Sequence, residues 1–266
     1  MMRRLDIAGA LLATVLFTGC STHIYPGVGL QRSLFPAMRG LSEAELQQLM
    51  NKPVALSEPI SASVLWLDAS YGFSGAELPE AERNRLLEQF TKPVAQSPFG
   101  RVSILPTTLS RGGSGDLDLA ELRSAAARFQ SDVLLLLTTR ANAYSDPNFF
   151  SVSYIALLPM FFVPGNDLAE YVSAEACALD VRTGVFLGCG QGHGEASRSF
   201  VTFFGRDSEF RALAAAATAA ALLQLPADLR AIVGNRIGEH HQHATTLPPD
   251  GERYETRSPR DSVSRM

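Results

Sequence analysis

The chain has little of what most enzyme chemistry requires. Its 266 residues include three cysteines, one tryptophan and five histidines. No G-x-S-x-G, H-E-x-x-H or paired C-x-x-C occurs, so the signatures of nucleophile-elbow hydrolases, zinc proteases and dithiol or zinc-ribbon sites are missing. The Gly-rich run Arg111-Gly112-Gly113-Ser114-Gly115 fits neither the phosphate-loop lysine motif nor the dinucleotide fingerprint, and reads as a flexible turn. Basic residues number 23 against 27 acidic, for a net charge of −4, and the arginines are scattered. Nucleic acid is therefore not an expected partner. Neither apolar run suits a membrane helix: residues 7–17 are too few, and residues 149–163 contain Pro159 and are followed by Pro164. From these patterns we assign no catalytic, cofactor-binding or metal-ligating residue, and expect a non-enzyme.

What is present begins at the N-terminus. Arg3 and Arg4, the apolar run to Phe17, and the small residues Thr18 and Gly19 form the basic, apolar and small-residue parts of a secretory signal. The sequence Leu16-Phe17-Thr18-Gly19-Cys20 resembles the lipobox of bacterial lipoproteins. That resemblance implies cleavage before Cys20, acylation of its thiol and amine, and, with Ser21 next rather than Asp, transfer to the outer membrane. Each acyl methylene buried in lipid adds about 0.8 kcal/mol to attachment, so several chains would hold the protein permanently.

Composition divides the remainder. We expect a signal peptide at 1–19, a lipid-anchored spacer at 20–41 rich in Pro and Gly, a single α/β domain at 42–235, and a disordered polar tail at 236–266. Ser42, three residues before Glu45, has capping-box spacing for a helix. Alternation turning wholly apolar over 60–67 predicts a first core strand, and Pro79 opens a helix whose acids Glu80 and Glu82 lie near its positive end. A short strand at 102–105, a helix from Asp118 to Phe129 and an apolar strand at 133–137 follow. This order predicts a mixed sheet with crossover helices in the first half and an antiparallel hairpin in the second. Residues 149–163 read as a long or broken strand, an alanine-rich helix runs from Ser208 to Leu225, and a final short helix ends near Gly234.

The hairpin is the most specific local signal. Arg182-Thr183-Gly184 separates two strand-like runs, with glycine where positive φ is needed. If Val181 and Val185 close it, Cys177 lies opposite Cys189, Glu175 opposite Gln191, Ser173 opposite His193 and Tyr171 opposite Glu195. Opposed strand residues have Cα atoms about 4.5 to 5.5 Å apart, within reach of a disulfide, and an exported protein meets oxidising conditions. Two buried thiols are the alternative, since this register places the pair at a hydrogen-bonded position. Glu175, His193 and Glu195 share that face and supply the groups a hydrolase or metal enzyme would use, although a solvated sheet end has the same composition. His240, His241 and His243 in the tail offer only loose metal affinity.

The helix ending Arg128-Phe129-Gln130-Ser131-Asp132 before an apolar strand resembles periplasmic α/β domains such as the amino-terminal domain of TolB and the curli-secretion lipoprotein CsgG. The order of lipobox, Val64-Leu65-Trp66-Leu67, Ile104-Leu105-Pro106, Ser131-Asp132-Val133-Leu134, Val163-Pro164-Gly165 and the hairpin resembles the rhombotarget lipoproteins. Those resemblances imply an envelope binding or assembly component held by lipid, with a protein partner and room for self-association. They assign no active site. An oligomeric secretion channel is the alternative, and a hydrolase or metal enzyme the second. Pro159-Met160-Phe161-Phe162 is the expected contact surface if exposed, and a core strand if buried.

Overall fold

The computed structural model describes residues 56–67, 78–106, 119–156, 161–201 and 206–246, with Ala44, Gln47, Gln48 and Val54 besides. Cys20, the signal and spacer, the 111–115 loop, Asp118, Pro159-Met160 and residues 247–266 lie outside the described residues. Strands β1 (Ile60–Leu67), β2 (Phe99–Ile104), β3 (Val133–Pro147), β4 (Asn166–Asp180) and β5 (Phe186–Phe200) form one sheet in the order β2-β1-β3-β4-β5. β1 runs parallel to β2 and β3; β3–β4 and β4–β5 are antiparallel. The molecule is thus an α/β fold on a mixed sheet, parallel in its first half and ended by the hairpin. Helices α1 (Glu80–Val94) and α2 (Leu119–Arg128) follow β1 and β2, and α3 (Arg206–Leu222) and α4 (Leu225–Thr246) follow β5.

The alternation of side chains along each strand separates two cores. Ala62, Val64 and Trp66 of β1, Leu135 and Leu137 of β3, and Ala174, Ala176 and Ala178 of β4 pack with Leu86, Leu87 and Phe90 of α1, Ala217 and Ala221 of α3 and Leu229 of α4. The opposite side chains, Leu65, Leu67, Leu134, Leu136, Cys177 and Leu179, meet Leu122 and Ala126 of α2. Helices cover both faces, and a fully buried leucine stabilises such a core by about 1.5–3 kcal/mol. The guanidinium of Arg83 lies 5.5 Å from the centre of the Trp66 ring, a cation–π contact at the edge of the larger core.

Helix α3 sits unusually close to β5. Glycines alternate along that strand, and a Cβ at Gly192 or Gly194 would collide with the carbonyl of Ala221 or Ala217. The Ala-rich face of α3 therefore rests on strand backbone. Gln224, just past α3, accepts a hydrogen bond from His193 N (3.0 Å) and donates one to His193 O (2.7 Å), saturating the outer edge of β5 there. The segment Ser208–Gly238 is long and apolar enough to cross a bilayer by composition, yet half of its most apolar stretch is buried in this fold.

Several expectations are corrected. Residues 149–156 form a 3-10 helix rather than a strand, and the polar segment that precedes them, through Pro147, is the strand. Asn148 stops β3: its Oδ1 accepts from Phe150 N (3.0 Å) and turns the chain. Helix α4 continues to Thr246 instead of ending near Gly234, because Leu225, Leu229, Val233 and Ile237 extend one buried stripe at four-residue spacing. Residues 236–246 are therefore helical, and His240, His241 and His243 fall within its span. The second strand spans 99–104 rather than 102–105; Phe99, which pairs with Ile60, is buried and anchors its start.

Candidate functional site

The hairpin turn is set by Asp180. Its Oδ1 accepts from Arg182 N (2.8 Å) and its Oδ2 from Thr183 Oγ1 (2.8 Å), and Gly184 takes φ of 74°. From α2, Arg123 donates to the carbonyls of Val181 (2.9 Å) and Arg182 (2.7 Å), clamping the turn to the helix. Asp180 N bonds Val185 O, and a bulge between Ala178 and Leu179 places Leu179 opposite Phe186. Beyond the bulge the expected register holds: Cys177 faces Cys189, Glu175 faces Gln191, Ser173 faces His193 and Tyr171 faces Glu195.

A disulfide joins Cys177 and Cys189, whose Cα atoms are 4.0 Å apart. The pair does not occupy a hydrogen-bonded position. His193 turns its N–H and C=O outward to Gln224, and Cys189, four residues earlier on the same strand, shares that orientation. The narrower non-hydrogen-bonded pair brings the two Cβ atoms together. Glu175 is buried beside the bridge, with Oε1 3.9 Å from Cys177 Sγ. Glu175, Cys177 and Cys189 form the one group of three metal-ligand types gathered among the described residues. The bridge removes both thiolates, leaving one carboxylate, which does not fit a metal centre.

Glu175, His193 and Glu195 share a face but differ in surroundings. Glu175 is buried, whereas His193 and Glu195 are exposed. His193 Nδ1 lies 3.2 Å from Ser173 Oγ, a cross-strand hydrogen bond, and Ser173 is 1% exposed. A serine so covered cannot meet a substrate without opening the sheet. On the opposite face of β4, Glu170 is fully buried and both its oxygens lack a hydrogen-bond partner among the described residues. Burial pushes its carboxyl up to about 7.

The remaining feature is a hairpin tip. β1 pairs with β3 only from Val133 to Thr138, while β3 and β4 stay paired to Pro147 and Asn166. The nine further residues of β3 carry the strands roughly 30 Å past the end of that pairing. At the tip, Phe149, Phe150, Val152, Ile155, Phe161 and Phe162 are exposed, six of the eight large apolar side chains so exposed among the described residues. No charged residue occurs from Pro147 to Asn166. Three of the tip's polar side chains bond inward. Tyr154 Oη donates to Val163 O (2.9 Å) and accepts from Gly165 N (2.7 Å), Ser153 Oγ donates to Phe150 O (2.6 Å), and Asn148 Nδ2 donates to Pro164 O (2.9 Å) and Asp167 Oδ1 (2.9 Å). The sequence offered Pro159-Met160-Phe161-Phe162 as a contact surface if exposed and a core strand if buried; Phe161 and Phe162 are exposed, and the structure adds Phe149, Phe150, Val152 and Ile155, for which the lack of charge across the segment is the available signal.

No family model matches the chain, and no curated protein matches it. Among solved structures it is similar to lipoprotein GNA1162 from Neisseria meningitidis, at 14% identity and a TM-score of 0.29, over 67% of this chain and 99% of that one. It is similar to the PelC dodecamer from Paraburkholderia phytofirmans, at 12% identity and a TM-score of 0.28, over 65% of this chain and 92% of that one. A Helicobacter pylori protein described as a homolog of a neuraminyllactose-binding hemagglutinin aligns at 7% identity and a TM-score of 0.36, over 74% and 96%. Likenesses at these scores carry no argument about what this chain does.

Proposed function

We propose that the chain is a non-catalytic lipoprotein of the bacterial outer membrane, held through acylated Cys20 and facing the periplasm, that works by binding through the tip of its β3–β4 hairpin. The observation that carries this reading is the gathering of Phe149, Phe150, Val152, Ile155, Phe161 and Phe162 on the charge-free segment at the tip of the projection. Single exposed apolar residues are ordinary, but a contiguous cluster marks an interaction surface. Binding is favoured over catalysis because Ser173 is covered and the sulfurs of buried Cys177 and half-buried Cys189 are engaged in a disulfide. A channel subunit would need strands with one face to lipid and the other to a lumen. Leu213 of α3 packs on Leu168 of β4 and Phe200 of β5, covering one face of the projecting strands, which weighs against that alternative.

Two measurements test the reading. In cells fed radiolabelled palmitate, the wild-type chain takes up label and fractionates with outer membrane, while Cys20→Ser loses label. A wild-type chain without label would overturn the proposal. His193→Ala is expected to leave function intact; loss of function in a variant that folds normally would favour the enzyme alternative.

A further inference from the structure

We infer that the occupant of the hairpin tip is the acyl region of a lipid bilayer, into which Phe149, Phe150, Val152, Ile155 and Phe162 insert. This deepens the binding reading above and rests on it. A surface that recognises protein ordinarily surrounds its apolar centre with polar and charged residues, arginine prominent among them. Here the segment from Pro147 to Asn166 has no charge at all, and the first charges on either side, Asp146 and Asp167, are acidic.

Hydrocarbon penalises unsatisfied polar groups, so a lipid-inserting loop must use them internally. Three of the tip's polar side chains do so: Asn148, Ser153 and Tyr154 direct their hydrogen bonds to its own backbone and to Asp167, beside the outward-facing apolar groups. Exposure reaches 77% at Phe149, 87% at Ile155 and 80% at Phe162. A lipid-anchored Cys20 would permit the contact. The 40 residues from Cys20 to Ile60 can span at most about 130–140 Å, well beyond the roughly 30 Å projection of the strands. The inserting residues carry no charge, and the nearest base on the neighbouring strand, Arg198 opposite Leu168, is paired with Glu209 (2.8 Å), so neutral phosphatidylcholine should suffice and salt should have little effect.

The test uses the full acylated chain reconstituted in phosphatidylcholine vesicles containing dibrominated acyl chains, which quench tryptophan on contact. Native Trp66, 3% exposed in the core, supplies the unquenched background and reports that each variant is folded. Ile155→Trp and Phe162→Trp are expected to give blue-shifted emission that is quenched equally at low and high salt. Leu223→Trp, exposed at 67% at the end of α3, is expected to stay red-shifted and unquenched. Absence of quenching at residues 155 and 162 overturns the inference, as does equal quenching at 223. If those positions stay unquenched but crosslink to a protein in intact cells, the lipid assignment fails while the binding reading stands. Failure of Cys20 to take up palmitate defeats the reading itself.

Discussion

At Glu170 a carboxylate sits fully buried on β4, between Ala143 of β3 and Ala196 of β5, with neither oxygen paired among the described residues. Its carboxyl is raised from 4.5 to about 7 by desolvation. The native state therefore holds a proton that the unfolded chain releases between those values, so native stability falls as pH rises from 4.5 to 7 and is level above. Glu170→Gln removes this dependence. At pH 8 the variant should be more stable than wild type by roughly 1–2 kcal/mol, and near pH 4 the two should converge. Urea denaturation at both values checks this; a constant difference would show that Glu170 is not the titrating group. Nothing in the residue pattern pointed to Glu170, because alternation alone marks neither face of a strand covered on both sides. By contrast, the opposition of Cys177 and Cys189 was legible from turn geometry. Only their place in the hydrogen-bond pattern was missed, since the bulge at Ala178 and Leu179 leaves no mark in composition.

Among elements, the contact between α3 and β5 depends on missing side chains. Gly192 and Gly194 bring strand backbone against the carbonyls of Ala221 and Ala217, and alanines line the facing helix. Gly194→Ala should cost about 3 kcal/mol, the upper end for overpacking, because the obstruction is backbone rather than a side chain that can swing away. Gly234→Ala, where a Cβ meets nothing within 4 Å, should be neutral or stabilising, since alanine favours helix. Thermal melts of the two variants distinguish tight packing from a general sensitivity to glycine loss. The alternating glycines of residues 188–194 were visible in the sequence, but their purpose needed the helix that covers them. The apolar segment 149–163 misled for a related reason. Apolar runs usually lie in the core, and here the strand was written in polar residues while the apolar ones cap its end.

For the molecule as a whole, β1, β3 and β4 contribute side chains to both cores, so neither core can separate without breaking the sheet the other needs. Trp66 emission and far-ultraviolet circular dichroism should therefore follow one unfolding transition in denaturant. Two resolved transitions would mean that the projecting hairpin melts on its own. The order of strands and helices in the first half, and the hairpin of the second, could be read from periodicity because each element announces itself locally. How far β3 and β4 outrun β1 could not, because it depends on where one strand stops relative to another. The amide of Gln224 adds a last consequence at this scale. By occupying both backbone groups of His193, it denies an incoming strand its docking point on the β5 margin. A second copy cannot extend the sheet through that residue, which opposes templated fibre growth at that point.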